Sequence, residues 1–161
     1  ALVICFGMGT TFRSLLSWRI PATAVELVPS VPRVFDFFHP DAPAVLSSPF
    51  ARVVIDDGRR FLERTRDQYD VITIDPAPPV EAAGASLLYT RQFYDLIKKR
   101  LRADGILQAW YWREAPSPVT LSAIAAALKN AFPYVRVFHI PPNGFHFLAS
   151  RNPIPNLTPR Q

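Results

Sequence analysis

The stretch Val3–Phe12, VICFGMGTTF, decides how the rest of the chain reads. With Ala1 and Leu2 in front it makes one apolar run, which stops at Gly7-Met8-Gly9 and gives way to small hydroxylated residues. A short, unbroken apolar run bounded by glycine reads as a strand buried on both faces. Glycine lacks a Cβ, so the backbone can turn tightly and a ligand can approach it closely. A buried strand, a glycine turn and then a helix form the opening unit of an open, doubly wound sheet. The spacing therefore predicts a strand over 1–6 and a short helix over Thr10–Trp18.

Outward from this unit, apolar runs alternate with helical patterns. TAVELV (23–28), ARVVID (51–56), YDVITID (69–75) and GILQAWYW (105–112) read as further strands. Val31, Val34, Phe35 and Phe38 fall at helical spacing, with Pro32 suited to a first turn. Helices are also predicted over Gly58–Thr65, Thr90–Leu101 and Ser117–Ala131, the last with Ser117 as its cap. YVRVFHI (134–140) and GFHFLAS (144–150) flank PPN and read as a closing antiparallel pair. Strands alternating with helices imply parallel pairing with right-handed crossovers. The expected architecture is α/β, a mostly parallel sheet with a C-terminal antiparallel strand pair. Positions 1–150 read as one domain and 151–161, RNPIPNLTPRQ, as a loose tail. A chain that begins directly on a core strand reads as a domain from a longer polypeptide.

Bulk properties narrow the function classes. The 161 residues suit one domain with a proper core. No apolar run approaches the roughly 18 residues of a membrane helix, so no membrane insertion of this chain is expected. The net charge is +5, but the basic residues are scattered, and RR at 59–60 and KKR at 98–100 read as solvated helix faces. No nucleic-acid partner is expected. The single cysteine, Cys5, lies in the first strand, so a reducing, cytoplasmic setting and a structural thiol are expected. His39, His139 and His146 lack metal-ligand spacing with cysteine or carboxylate, and no metal site is expected.

In an open parallel sheet, ligands bind beyond the carboxyl ends of the strands. Gly7-Met8-Gly9 follow the first strand, Glu26 ends the second, Asp56-Asp57-Gly58 follow the third, and Asp75 follows the fourth. A carboxylate after the second strand is placed to accept both ribose hydroxyls. One after the third can accept from an exocyclic adenine amine. The chain has no GxGxxG and no GxxxxGK[ST], and it puts acids where a pyrophosphate needs donors. A dinucleotide oxidoreductase is thereby disfavoured, and a cationic adenosine compound, a sulfonium nucleoside, fits better. Glu26 also reads as a solvated strand end, and Asp57 as a cap for the helix that follows, a role compatible with ligand binding.

The blocks VICFGMG, AVELV, VVIDDGRRFL, YDVITIDPAPP and LLYTRQFYDLIKKRLRADGIL resemble the spermidine/spermine synthases, the polyamine aminopropyltransferases. They are closest in kind to bacterial spermidine-synthase-like domains. The resemblance covers roughly positions 1–112. It implies a Rossmann-like, S-adenosylmethionine-dependent methyltransferase fold. It also implies a transferase of polyamine biosynthesis, with S-adenosylmethionine or its decarboxylated form as donor, a polyamine as acceptor, and a homodimer. Carried over by position, Gly7 and Gly9 match two glycines of the family's GGGDG turn, Glu26 its ribose-binding acid, Asp57 and Gly58 its adenine-side DG, and Asp75 the first acid of its DxxD segment. Met8 stands where GGGDG has the acid that holds the donor's amino end. The second acid of DxxD, the family's proton acceptor, falls on Pro78.

That departure has chemical weight. Aminopropyl transfer is an attack by an amine on a carbon next to sulfonium, and an amine with a pKa near 10 must first lose its proton. Asp75 and Glu81 are the candidates to take it. Methyl transfer and a non-catalytic nucleoside-binding module stand as alternatives, because fold alone does not choose a chemistry. Trp110 and Trp112 share one face of their strand, as core, interface or acceptor pocket. His146 reads as a hydrogen-bonded structural histidine.

Overall fold

The structure is a computed structural model that describes residues 1–76, 84–112 and 117–155. Its centre is the strand that opens the chain, β1 (Leu2–Ile4). β1 pairs in parallel with β2 (Ala22–Glu26) on one side and β4 (Tyr69–Ile74) on the other, with Ile4 level with Val25 and Ile74. β3 (Ala51–Ile55) adds in parallel outside β2, and β5 (Leu101–Tyr111) outside β4. β7 (Phe145–Ser150) runs antiparallel to both β5 and β6 (Tyr134–His139), which gives the order β3-β2-β1-β4-β5-β7-β6.

The reason β1 is apolar throughout lies in the two layers that cover it. Leu2 and Ile4 join a cluster containing Leu62 of α4 (Gly58–Arg64), Phe93 and Ile97 of α5 (Arg91–Arg100), and Leu128 of α6 (Pro118–Ala131). Val3 points the other way, into a cluster with Phe12 and Leu16 of α1 (Thr10–Ser17) and Phe35 of α2 (Phe35–Phe38). Side chains alternate across a strand, so a strand covered on both faces has no polar position to spare. Full burial of one such side chain contributes roughly 1.5–3 kcal/mol. The helices begin where capping chemistry allows. Asp57 Oδ1 accepts from Arg60 N–H at 2.8 Å, Thr90 Oγ1 from Phe93 N–H at 3.3 Å, and Ser117 Oγ from Thr120 N–H at 3.4 Å.

The elements differ from the expected ones in four places. β5 starts at Leu101, directly after α5, and pairs Leu101 with Tyr69 before an irregularity brings Val71 level with Ile106. The exposed Arg102-Ala103-Asp104 disguises that entry as a turn. The spacing of Val31, Val34, Phe35 and Phe38 yields only a 3-10 turn (Pro32–Val34) and the single turn of α2, with Phe35 alone buried. A short α3 (Ala42–Leu46) and a 3-10 helix (Ala85–Tyr89) occupy segments with no periodic signal long enough to read. β3 lies at the sheet edge, so Arg52 and Ile55 are exposed although the run reads as a core strand.

Candidate active site

The register of the parallel strands brings four chain ends to one level. Cys5 N–H donates to Val25 O at 3.0 Å, Asp56 N–H to Glu26 O at 3.0 Å, and Asp75 N–H to Ile4 O at 3.1 Å. From β1 the chain winds outward to β2 and β3, then returns to β4 on the other side. This reversal between β1 and β4 leaves a crevice at the carboxyl ends of the strands, the usual ligand site of an open α/β sheet. A cavity of about 1210 Å³ fills it. Ligand pockets commonly measure about 300–1,000 Å³, and this one lies just above that range.

Of the residues singled out in the sequence, Gly7, Met8, Glu26, Asp57, Gly58 and Asp75 all line this cavity. Gly7 sits at φ +54° with open space where a Cβ would stand, so the backbone there is bare towards the cavity. Gly9 has a different role. It does not belong to the cavity wall; a Cβ on it would lie 2.3 Å from Cε2 of the buried Phe35 ring, and its φ is +77°. The second glycine of the turn is thus required by packing beneath the site. Met8 projects at the rim, 57% exposed. Pro78 and Glu81 lie outside the described residues.

Glu26 is the most constrained of the acids. It is 8% exposed, and its Oε2 accepts from Phe6 N–H at 2.8 Å while Oε1 accepts from Val28 N–H at 2.9 Å. An ionised carboxylate offers about four acceptor sites, so two remain after these bonds. The backbone of β1's exit and the turn after β2 therefore hold a fixed, half-satisfied carboxylate on the cavity wall. Asp57 combines two tasks, since its carboxylate caps α4 and its residue lines the cavity. Gly58, next in line, would drive a Cβ to 2.6 Å from Ile4 Cγ2. Asp56 turns away into ion pairs with Arg60 and Arg64, and the hydrogen bond from Arg60 holds its carboxyl below the usual range.

Asp75 stands on the β4 side of the crevice. Burial pushes its pKa up, and the Thr11 hydroxyl, which donates to Oδ2 at 3.2 Å, opposes that shift. Cys5 is half-buried on the cavity wall at φ +72°, and burial together with the nearby acids pushes its thiol up to about 12. A thiol that stays protonated at neutral pH is no nucleophile, in keeping with a structural reading.

Beyond Asp75 the wall changes character. Gln108, Trp110 and Trp112 alternate along β5 and its exit, and all three line the cavity together with His146 of β7. Both indoles are held by the β6–β7 turn: Trp110 Nε1–H donates to Asn143 O at 2.6 Å and Trp112 Nε1–H to Pro142 O at 2.8 Å. The tryptophan pair was legible as one face of a strand. Gln108 and Asn143 gave no signal in the sequence, because nothing local marks which face of β5 meets the crevice.

A model of the spermine/spermidine synthase domain matches residues 1–142. The chain belongs to this family. Polyamine aminopropyltransferase 2 of Pseudomonas aeruginosa is 36% identical over 112 residues, which are 66% of this chain and 31% of that protein. The chain spans about half the length or less of the first curated relatives it matches. The fold is that of a spermidine synthase crystallised with the transition-state analogue AdoDATO, with a TM-score of 0.81 at 23% identity over 94% of this chain and 53% of that one. Human methyltransferase-like protein 13, solved with SAH, has the same fold, with a TM-score of 0.78 at 21% identity over 98% of this chain and 74% of that one. The Rossmann-like, mostly parallel sheet with its antiparallel closing strands is thus the family's architecture.

Proposed function

We propose that this chain is a spermidine-synthase-like transferase domain that binds S-adenosylmethionine or decarboxylated S-adenosylmethionine and supports aminopropyl transfer to a polyamine. The observation that carries the reading is Glu26, a buried carboxylate pinned by two backbone donors at the end of β2 with acceptor capacity left over. That is the arrangement a ribose diol requires. Gly7 leaves the backbone bare in the same cavity, and Asp57 with Gly58 on its wall support their reading as the adenine-side contacts. Relatives named polyamine aminopropyltransferases support the type of group transferred.

In the proposed reaction, the amine lone pair forms a bond to the carbon next to sulfonium. The carbon–sulfur bond breaks, and its electron pair neutralises the sulfonium as the thioether nucleoside leaves. The acceptor arrives as an ammonium, so a carboxylate must take its proton before the lone pair can attack, and the product leaves as the secondary ammonium. Asp75 takes that role among the described residues, and its raised pKa makes it a stronger base than an exposed aspartate. The tryptophans supply flat apolar walls for the methylene chain of the acceptor, and indole faces also attract an ammonium. A homodimer and a reducing, cytoplasmic setting complete the proposal. Among the described residues no helix is long and apolar enough to cross a membrane.

Met8 and Pro78, in place of two acids of the family pattern, favour methyl transfer or nucleoside binding without catalysis as the second reading. Calorimetric titration with the two donors decides between them. Tighter binding of the decarboxylated form supports aminopropyl transfer, and tighter binding of S-adenosylmethionine favours methyl transfer. No binding of either between micromolar and millimolar, about −8 to −4 kcal/mol, removes the nucleoside reading.

A further inference from the structure

Asp75 and the tryptophans of β5 leave the sheet side by side. Thr73 is level with Gln108 and Ile74 with Ala109, so the next residues out are Asp75 and Trp110. Asp75 N–H still donates to Ile4 O, which carries the ladder one residue past β4. Side chains alternate along a strand, so Asp75 and Trp110 share the face on which the Thr73 hydroxyl donates to Oε1 of Gln108. The hydrogen bond from Thr11 of α1 to Asp75 marks the same face. On its other side Trp110 is level with His146 of β7. Trp112 follows two residues further out, and both indoles line the cavity together with Asp75.

Both rings are tied at their polar edge. The indole N–H of Trp110 donates to Asn143 O and that of Trp112 to Pro142 O, while Tyr89 Oη donates to Trp110 O at 2.7 Å. The turn that supplies the two carbonyls packs directly on the strand exit, for Gly144 has φ +87° and a Cβ there would lie 2.5 Å from Tyr111 O. Tryptophan has one donor and no acceptor. With that donor engaged, each ring offers the cavity only carbon and its π face, and the hydrogen bond polarises the ring further. The neutral acceptors beside them are also engaged, Gln108 Oε1 by Thr73 and the Pro142 and Asn143 carbonyls by the indoles. Among the described residues the carboxylates on the cavity wall are Glu26, Asp57 and Asp75, and the first two follow β2 and β3, across β1 from the tryptophans.

We propose that Trp110 and Trp112 form the subsite for the distal ammonium of the acceptor, holding it on their ring faces while the reacting nitrogen lies at Asp75. The inference rests on the reading of this chain as an aminopropyl-transfer domain, and it names the acceptor class: a di- or polyamine whose distal nitrogen carries alkyl groups. A primary ammonium brings three N–H donors that each want an acceptor, and this wall has no free one among the described residues. An alkylated ammonium brings the same charge without that demand. Indole faces attract such a cation within about 6 Å of the ring centre, and aromatic sites are the usual receptors of quaternary ammonium groups.

The test is isothermal titration of the full chain at neutral pH with three amines of one length: 1,4-diaminobutane, the same diamine trimethylated on one nitrogen, and n-butylamine, which has no distal charge. The trimethylated diamine should bind at least as tightly as the parent diamine. The n-butylamine should bind about 2- to 30-fold more weakly than either, the range of one cation–π contact. Trp112→Leu keeps an apolar side chain but removes the π face, and should bring the trimethylated diamine towards the n-butylamine level while leaving n-butylamine itself unchanged. Trp110→Leu should act in the same direction, and where it does not fold the half-exposed Trp112 still decides. Weaker binding of the trimethylated form than of the parent would overturn the proposal, because it means that the distal N–H donors are used. So would equal binding of n-butylamine, an unchanged ratio in Trp112→Leu, or no binding of any amine. Product formation with decarboxylated S-adenosylmethionine is read beside these titrations. No transfer with the amine order intact removes the aminopropyl-transfer reading and leaves the ammonium subsite standing, whereas transfer with the order reversed overturns the subsite alone.

Discussion

Replacing Glu26 by Gln tests the nucleoside site and its construction at once. In the wild type each carboxylate oxygen holds one backbone N–H, Phe6 at 2.8 Å and Val28 at 2.9 Å. Glutamine offers one carbonyl oxygen and one amide nitrogen, so one of the two donors loses its acceptor and faces another N–H. A buried donor left unsatisfied costs about 1–3 kcal/mol. At roughly 2–4 °C per kcal/mol for a domain of this size, the variant should melt about 2–12 °C below wild type. For the ligand, the substitution removes the charge and one acceptor for the ribose diol. A hydrogen bond to a charged group contributes about 1.5–3 kcal/mol, so S-adenosylmethionine should bind about 10- to 150-fold more weakly. Differential scanning calorimetry reads the first effect, and isothermal titration well below both melting points reads the second. If the variant melts lower but binds the nucleoside with wild-type affinity, Glu26 is a strut for the β1 exit and the assignment of the ribose to it is wrong. If neither quantity changes, the two backbone bonds are not made in solution.

Four further outcomes are expected. Gly9→Ala forces a Cβ towards the Phe35 ring at a φ of +77°, and overpacking with left-handed strain should cost about 2–5 kcal/mol in chemical denaturation, whereas Gly7→Ala, with open space, should cost only the strain term. Asp57→Ala should lose the α4 cap, about 0.5–2 kcal/mol, while Asp57→Asn keeps an accepting oxygen and most of the stability; weaker nucleoside binding by Asp57→Asn then reports the ligand role alone. The raised pKa of Asp75 means the folded chain binds its proton more readily than the unfolded one, so its contribution to stability is largest at low pH and is lost as pH rises through the folded pKa. Asp75→Asn should accordingly be the more stable protein at pH 7, with an advantage that shrinks as pH falls below the raised Asp75 midpoint, while the proposed aminopropyl transfer, assayed with decarboxylated S-adenosylmethionine, should be lost. Met8→Asp puts an acid before the second glycine at the rim of the cavity and should shift donor preference towards the decarboxylated form, read as a ratio of the two dissociation constants.

Much of this molecule was legible from local pattern. The apolar run of β1 with its glycines, the matching runs of β2 and β4, and the capped helices α5 and α6 are short-range signals, because periodicity and capping act within a few residues. The acids at the strand ends follow from the same pattern, since parallel pairing sends successive carboxyl ends to one side of the sheet. The sequence therefore determines by itself the α/β class, the family, and a crevice lined by Gly7, Glu26, Asp57 and Asp75.

Tertiary structure decided what each residue does there. Gly9 looks in sequence like Gly7, yet only the approach of Phe35, 26 positions later, shows that it answers to packing. Glu26 becomes a fixed acceptor because the exit of β1 passes within hydrogen-bond reach of it. His146 meets Gln108 and Thr73 only because β7 inserts between β5 and β6 and brings three strands side by side. Contacts between residues 20 to 70 positions apart carry no local signature. They are set by register and sheet order, and so the chemistry of this crevice is written in the fold rather than in any stretch of the chain.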